Sequence, residues 1–376
     1  MKIESIKIRN FKSIRKLNLS FGNINIMIGG NGAGKSNFIS YFKFLNQIIS
    51  RNLEAYVARN GGANNLLFFG SKISPEIGFK ITFDNLNSRL ENVYTSYEAR
   101  LAPNTTDGFY FTLESIGYRE GLGGNNNEHS LGVGHSESKL EEYNRTDSNS
   151  YGGTNGVSFY AIKACKGLKV YHFHDTSDSA KVKNTGDLDD NQFLREDASN
   201  LAAFLYRLKE RHVENYRQIE TTIRRIAPFF HGFDLKPSAL NPDKIRLEWS
   251  EKGSDLYFNA HSLSDGTLRM MCLATLLLQP ELPETIIIDE PELGLHPSAI
   301  HLLASLIKMA SERTQLIIST QSVTLINQFT PQDIIVVDRS EGQSVFRRID
   351  ENELTLWQDD YALGEIWEKN LIGGRP

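Results

Sequence analysis

One glycine-rich segment has residue types and spacing suited to holding phosphate. Residues Gly29–Ser36 read GGNGAGKS, which fits G-x-x-x-x-G-K-[ST] at every fixed position. Glycines allow successive backbone N–H groups to turn towards one phosphate, and the start of a following helix adds a positive dipole end. The spacing predicts that Lys35 reaches the β- and γ-phosphates of a nucleotide, and that the Ser36 hydroxyl binds Mg²⁺.

A second candidate is a pair of acids that ends an apolar strand. Ile286–Ile288 is continuously apolar, and Asp289 and Glu290 follow directly. Such a run is typical of a central parallel strand buried on both faces, and open α/β sheets bind ligands at the carboxyl ends of such strands. The pattern predicts Asp289 as a magnesium ligand, directly or through water. It also predicts Glu290 as the general base that polarises an attacking water.

A third candidate is the segment Ser264-Asp265-Gly266, which precedes a predicted helix. A serine hydroxyl and backbone N–H groups at a helix start are suited to holding a γ-phosphate. The alternative is a plain helix cap, because Ser and Asp are both favourable at helix starts.

The elements predicted around these residues are those of an α/β fold. Strand Ile24–Ile28 and helix Lys35–Ile49 flank the glycine-rich segment, and helices alternate with strands from Ser262 onward. That alternation predicts a parallel sheet. Residues Ile245–Trp249 and Leu256–Asn259 predict a hairpin, and Val157–Ile162 predicts a strand.

The chain divides on composition into three predicted segments. Residues 1–84 and 241–376 carry the candidate residues, and 85–240 is predicted to be an insertion. Within it, Arg119–Val157 is rich in Gly, Asn and Ser, which predicts a mobile surface segment. Residues 197–230 have helical spacing.

Composition narrows the class of protein. The chain has 376 residues, a formal net charge of −5 and two cysteines, so it is not a basic polyanion binder as a whole and needs no disulfide framework. The strongly apolar stretches are too short to span a bilayer. We therefore expect a cytoplasmic protein without a membrane partner. A DNA contact would need a local patch. The helical region Arg207–Arg225 could supply one, although glutamates are mixed in. A second basic cluster, whose charges could equally be solvated strand charges, consists of Lys7, Arg9, Lys12, Arg15 and Lys16.

Several segments together resemble one family. Leu263–Thr267 is similar to the Leu-Ser-Gly-Gly-Gln signature of ABC-type ATPases, with departures at Asp265 and Thr267. Ile6–Ile14 and Asp289–Pro297 resemble the SMC/RecF/OLD-like branch of that family, and Leu363–Pro376 resembles a subgroup of small bacterial ATPases of this branch that lack a Toprim domain. The implied fold is a P-loop NTPase: an ABC-type ATPase head with a mixed β-sheet and a helical or irregular insertion.

The resemblance implies ATP and Mg²⁺ as cofactors and a homodimer with two shared sites. In such heads the signature, here Ser264, Asp265 and Gly266, acts on the nucleotide held by the partner's phosphate loop. The residues implied to line the nucleotide are Asn31, Gly32, Ala33, Gly34, Lys35, Ser36 and Asn37, together with Lys12 and Ser13 near the first strand.

Two departures from the family shape the functional expectation. Gln321 stands where ABC-type heads usually place a histidine, and glutamine cannot carry a proton as histidine can, which predicts slow turnover. The stretch after the last predicted head strand, Ile334–Val337, is too short for the Toprim nuclease domain of OLD proteins. We therefore expect any effector, possibly a Toprim-type nuclease, to be a separate protein.

The function expected is an ATP-driven switch in DNA maintenance or anti-phage defence. A nucleotide-sensing scaffold with little hydrolysis is the main alternative, and a transport ATPase subunit is the weaker one. His172 and His174 share a face if they lie on a strand, which would suit a metal, although a structural role is the commoner use of such histidines.

Overall fold

The computed structural model describes residues 1–86, 92–121, 124, 127–144, 157–349 and 361–374. The chain forms two compact units. The first unit comprises Met1–Lys169, Pro283–Ile287 and Thr330–Pro376, and the second comprises Val170–Leu282 and Ile288–Phe329. The segments 1–84, 85–240 and 241–376 follow other boundaries and remain a prediction about which parts of the chain carry the head.

The elements alternate between strands and helices along the chain. The strands are β1 (Lys2–Phe11), β2 (Ile14–Ser20), β3 (Ile24–Ile28), β4 (Ile77–Leu86), β5 (Asn92–Pro103), β6 (Phe109–Glu120), β7 (Asn127–Gly132), β8 (Leu168–Tyr171), β9 (Gly186–Asp187), β10 (Phe230–Phe233), β11 (Lys244–Ile245), β12 (Glu248–Glu251), β13 (Tyr257–Asn259), β14 (Thr285–Asp289), β15 (Gln315–Thr320), β16 (Ile334–Ser340) and β17 (Gln343–Arg348). The helices are α1 (Lys35–Ile49), α2 (Leu53–Arg59), α3 (Ala63–Leu66), α4 (Val157–Lys166), α5 (Leu201–Arg211), α6 (Val213–Ile226), α7 (Asp265–Leu278), α8 (Pro297–Ser311), α9 (Val323–Ile326) and α10 (Leu363–Glu368). Short 3₁₀ turns cover Lys181–Lys183, Ala260–Ser262 and Pro331–Asp333.

The first unit contains an antiparallel sheet and the strands around the glycine-rich segment. Six strands pair in the order β2-β1-β4-β5-β6-β7. Strand β3 pairs in parallel with β16, which pairs antiparallel with β17. An aromatic cluster from α1 and the sheet fills the core, and each buried ring contributes about 1.5–3 kcal/mol. Its members are Phe11, Phe38, Tyr41, Phe42, Phe44, Phe79 and Tyr97.

The prediction of a strand at Val157–Ile162 is wrong, because this segment lies in α4. Its buried side chains are Ser158, Ala161, Ile162, Ala164 and Cys165, and all but Ala164 have the i, i+3, i+4, i+7 spacing of one helix face. The β-forming tendency of the local residues is therefore outweighed by the burial of one helix face.

The mobile surface segment at Arg119–Val157 remains a prediction, although the described parts of this range include regular secondary structure. Strand β6 continues to Glu120, β7 pairs with β6, and residues 140–144 are helical. The remaining residues, 122–123, 125–126 and 145–156, lie outside the described part of the chain.

The second unit packs helices with two small sheets. Helix α7 follows the signature-like segment and is buried along Leu268–Leu278, so it is the central helix of the unit. The predicted hairpin is confirmed by the antiparallel β12–β13 pair, whereas β11 pairs with β9 instead. Within the described ranges, no helix combines the length and the apolar character needed to cross a membrane.

Candidate functional site

The glycine-rich segment of the first unit joins β3 to α1 as predicted. Gly34 caps α1 with a φ of +122°, and Gly32 has a φ of +78°, a conformation that L side chains rarely adopt. The side chain of Lys35 lies across this loop: its Nζ donates to the carbonyl oxygens of Gly29 and, at 3.3 Å, of Gly30. Lys35 is only 6% exposed, so its ammonium is held at the loop by backbone oxygens.

Two of the glycines are also required by packing. A Cβ on Gly29 would collide with the Val337 backbone of β16. A Cβ on Gly34 would lie 2.7 Å from Cβ of Ser344 and 3.1 Å from Oγ of Ser13. Strands β16 and β17 therefore pack directly against the loop, and any larger residue at position 29 or 34 would displace it.

A pair of buried serines ties the loop to distant parts of the chain. The hydroxyls of Ser13 and Ser344 lie 2.7 Å apart, and Ser344 also donates to the Ala33 carbonyl oxygen at 2.6 Å. Asn37 of α1 donates to the Ser13 hydroxyl at 2.7 Å. The structure thus brings three predicted residues, Ser13, Ala33 and Asn37, into one hydrogen-bonded group. Ser344 is a member that the sequence did not reveal.

An open cavity of about 340 Å³ lies beside this group within the first unit. It combines cationic, amide and aromatic side chains, among them Lys12, Ser13, Asn37, Phe68, Phe69 and Arg339. Burial, together with the positive charge of Lys43, lowers the pKa of Lys12. Arg339 donates to the Gly32 carbonyl oxygen at 3.2 Å. Phe69 is 63% exposed, so an aromatic face is available next to two cations.

In the second unit, the acids at the end of β14 contact the end of β15. The Ser319 hydroxyl donates to Oδ1 of Asp289, and the Glu290 N–H donates to the Ser319 carbonyl oxygen at 2.9 Å. Glu290 has a φ of +40°, a strained backbone conformation for a non-glycine residue that is typical of functional sites. The side chain of Gln321 donates through Nε2 to Oε1 of Glu290.

The signature-like segment forms the start of α7. Ser264 is the N-cap of the helix and its side chain accepts from the Thr267 N–H at 3.2 Å. Ser264 and Asp265 are exposed. Gly266 passes so close to the turn after the acids that a Cβ there would lie 2.5 Å from the Gly294 carbonyl oxygen. The helix-cap alternative therefore describes its role within the chain, while its exposed groups remain available to a ligand.

A family model described as "AAA domain, putative AbiEii toxin, Type IV TA system" matches residues 24–327. The matched span contains the glycine-rich segment, the signature-like segment and the acidic pair. The chain belongs to this family.

Two named proteins are similar in sequence to this chain. The Old nuclease of Escherichia phage P2 is 23% identical over 385 residues, which cover 93% of this chain and 61% of that protein. The chain therefore spans less than two thirds of this relative. The phosphate import ATP-binding protein PstB of Mycoplasma pneumoniae is 29% identical over 111 residues, covering 28% of this chain and 33% of that protein.

Solved structures support the same fold. An Smc head bound to the C-winged helix domain of ScpA has a TM-score of 0.59 at 16% identity, and the match covers 95% of this chain and all of that one. A Pyrococcus furiosus Smc head bound to the C-terminal domain of ScpA has a TM-score of 0.57 at 16% identity, covering 95% of this chain and 99% of that one. The predicted fold class is confirmed: the chain is an α/β P-loop NTPase with the fold that these Smc heads share.

Oxygen donors suited to magnesium are present at the predicted positions. Mg²⁺ prefers carboxylate and hydroxyl oxygens, and the Ser36 side chain is exposed while Asp289 is half-buried. Each of the two side chains is thus chemically suited to Mg²⁺, and their role as its ligands remains a prediction.

The second of the two histidines after β8, His174, makes a hydrogen bond to the acidic segment. His174 donates from Nε2 to the Asp289 carbonyl oxygen at 2.7 Å, and among the described residues no group of three metal-ligating side chains occurs. His174 thus supports the acidic segment as a structural residue. His296 is the N-cap of α8, where Nδ1 accepts from the Ser298 N–H at 3.3 Å.

Proposed function

We propose that this chain binds and hydrolyses ATP with Mg²⁺, dimerises around the nucleotide, and works as a slow switch in DNA maintenance or anti-phage defence. The observation that carries the proposal is the phosphate loop, whose shape is fixed by contacts within the first unit. The hydrogen bond from Gln321 to Glu290, within the second unit, supports the hydrolytic part of the proposal. A separately encoded effector, such as a Toprim-type nuclease, would receive the signal.

The phosphate loop supplies the binding step. Its backbone N–H groups and the Lys35 ammonium neutralise phosphate charge, and Ser36 and Asp289 would hold Mg²⁺, which neutralises charge on the transferring phosphoryl group. Asn31, Gly32, Ala33, Gly34 and Asn37 belong to the same loop or to its helix. The neighbouring cavity offers Phe69 for stacking with a base, and Lys12 and Ser13 for polar contacts.

The acidic pair supplies the chemistry. In the proposed step Glu290 removes a proton from water, the water oxygen bonds to the γ-phosphorus, and the bond to the β–γ bridging oxygen breaks, which releases ADP and phosphate. Gln321 donates to one oxygen of Glu290 and so orients the carboxylate. Because the Gln321 amide cannot accept and release a proton, we expect slower turnover than in heads with histidine at this position.

The exposed helix start of α7 supports dimerisation. Ser264, Asp265 and Gly266 lie where a helix dipole and backbone N–H groups attract an anion, and their own helix uses only part of that capacity. We propose that they contact the γ-phosphate bound by the partner. Two nucleotides would then be buried in the closed dimer.

A row of like charges supports a contact with DNA. Arg9 lies directly opposite Lys16 on β2, and Lys7, two residues before Arg9 on β1, lies on the same face of the sheet. Like charges opposite each other destabilise a sheet, so an anionic partner such as the phosphate backbone would relieve the repulsion. Duplex affinity measured at two salt concentrations tests this part of the proposal.

A substitution at the base tests the catalytic assignment. Glu290→Gln should lower turnover by about 10²–10⁴-fold, the usual contribution of a general base, while ATP binding and ATP-dependent dimerisation persist. The measurements are phosphate release, nucleotide affinity and molar mass by light scattering. The matched control is Glu312→Gln, an exposed glutamate at the end of α8, which should leave all three unchanged.

The same measurements separate the second candidate, a nucleotide-sensing scaffold, which Gln321 favours. A scaffold would bind ATP and dimerise, but the wild-type chain would release no phosphate above background. Unchanged turnover in Glu290→Gln would contradict the catalytic role given to this residue.

A further inference from the structure

Glu292 is a half-buried acid that the proposed chemistry does not use. Its Oε1 accepts two hydrogen bonds, from the Thr320 hydroxyl at 2.5 Å and from the Gln321 backbone N–H at 3.1 Å. Its Oε2 is buried and has no hydrogen-bond partner among the residues that the structure describes. Among the described residues, the carboxyl group therefore binds the end of β15 and Gln321 through Oε1.

Gln321 is held from two sides. Its backbone N–H donates to Glu292, and its side-chain amide donates to Glu290. The Glu290 N–H in turn donates to the Ser319 carbonyl oxygen at 2.9 Å. Together with the bond from Thr320 to Glu292, these hydrogen bonds connect the turn after β14 with the end of β15 and with Gln321. Glu292 thereby fixes the backbone from which the Gln321 amide extends.

The electrostatic setting of Glu292 is unfavourable for a residue with a purely structural role. Burial, with the nearby charge of Glu290, raises its pKa, against the lowering effect of its hydrogen bonds from Thr320 and Gln321. A buried polar atom without a partner costs about 1–3 kcal/mol. Such atoms are rare in native proteins and usually mark a functional constraint.

We propose that Glu292 is a positioning residue that places the Gln321 amide against the Glu290 carboxylate and thereby sets the rate of ATP hydrolysis. This inference rests on the proposed function, because it assumes that Glu290 is the base. Glu292 does not touch the reacting atoms. It acts by fixing the backbone at Gln321, so the side-chain amide meets one oxygen of Glu290 and leaves the other for water.

A double-mutant cycle tests this dependence. The variants are Glu292→Ala, Gln321→Ala and the double variant, with kcat and KM for ATP measured in each. Both single variants should lower kcat by about tenfold with KM for ATP changed less than twofold, because the lost interaction acts on the chemical step. The double variant should be no slower than the slower single variant, since residues in one hydrogen-bonded network are not additive.

Two further variants guard against a trivial loss of folding. Glu292→Gln keeps a carbonyl oxygen that can accept from Thr320 and Gln321, so its kcat should stay within about threefold of wild type. Its acid limb in the pH profile of kcat should also change, because the amide does not titrate. Glu312→Ala is the matched control at an exposed glutamate and should match wild type in every parameter.

The outcomes separate this inference from the proposed function. If the two single effects multiply in the double variant, Glu292 acts independently of Gln321 and the inference is wrong, although ATP hydrolysis by Glu290 stands. If Glu292→Gln is as slow as Glu292→Ala with an unchanged pH profile, the positioning role is also wrong. Absence of hydrolysis in the wild-type chain would overturn both.

Discussion

Two glutamates, one in each unit, accept hydrogen bonds from the same pair of groups in a neighbouring segment, a side-chain hydroxyl and the next backbone N–H. Glu114 of β6 accepts from the Ser138 hydroxyl at 2.5 Å and from the next backbone N–H, that of Lys139, at 3.0 Å. Glu292 accepts from the Thr320 hydroxyl at 2.5 Å and from the next backbone N–H, that of Gln321, at 3.1 Å. Even the hydroxyls match, because each also accepts from the backbone N–H two residues further on.

The two carboxylates differ in how their oxygens are used. Glu114 spreads its bonds over both oxygens and accepts two more, from the Tyr97 hydroxyl and from His135, each at 2.7 Å. Glu292 receives both bonds on one oxygen, and its other oxygen is buried without a partner among the residues that the structure describes. In the same local motif, both oxygens of Glu114 therefore accept hydrogen bonds, whereas only Oε1 of Glu292 does so among the described residues.

The largest expected effect on stability comes from removing the Glu114 carboxylate. Glu114→Ala would leave the hydroxyls of Tyr97 and Ser138 and the ring of His135 without their acceptor, and we expect the free energy of unfolding to fall by about 3–5 kcal/mol. ATP affinity of the folded protein should not change. Denaturant unfolding measures the loss, and Glu292→Ala in the same assay should lose clearly less. Equal losses would erase the distinction between the two sites.

A matched pair of hydroxyl deletions gives the next effect. Ser138→Ala and Thr320→Val each remove one donor to a carboxylate, and each should lower the free energy of unfolding by about 0.5–1.5 kcal/mol. Only Thr320→Val should also lower kcat, by a few-fold, because only its partner supports Gln321. Steady-state kinetics beside thermal melts check this. Slower turnover in Ser138→Ala would show that the sheet of the first unit also controls catalysis.

The smallest effect concerns pH. Burial raises the pKa of Glu292 above its ordinary value of 4.5, so its stabilising contribution is complete below that value and is lost as pH rises through the folded-state pKa. Glu292→Gln should therefore gain stability relative to wild type as pH increases from 4.5 upward, by less than about 1 kcal/mol. Unfolding midpoints at several pH values measure the difference. A gain that is independent of pH would mean that packing, not charge, separates the two proteins.

The sequence predicts those parts of the site whose spacing is itself a physical requirement. The loop at Gly29–Ser36 and the strand that ends at Asp289 were both found, because phosphate binding and sheet burial each dictate residue types at fixed intervals. Gln321 was found through a family position. Its hydrogen bond to Glu290 is a structural finding.

Contacts between residues far apart in the chain could not be predicted. Ser344 meets Ser13 although 331 positions separate them, and a lone serine after a turn has no distinguishing pattern. Glu292 lies two residues after Glu290 in the sequence. The hydrogen bonds of its carboxyl group, however, depend on how the end of β15 packs against it. The strand predicted in place of α4 shows the same limit, since apolar content alone did not decide which period the packing uses.

The close fit between Gly34 and Ser344 has a thermodynamic consequence. The loop is held in shape by hydrogen bonds and steric contacts within the protein, so its loss of conformational entropy occurs on folding and not on binding. A nucleotide that enters such a loop meets donors that already face it. If the chain works as the proposed ATP-driven switch, more of the phosphate binding energy is then available for a conformational change.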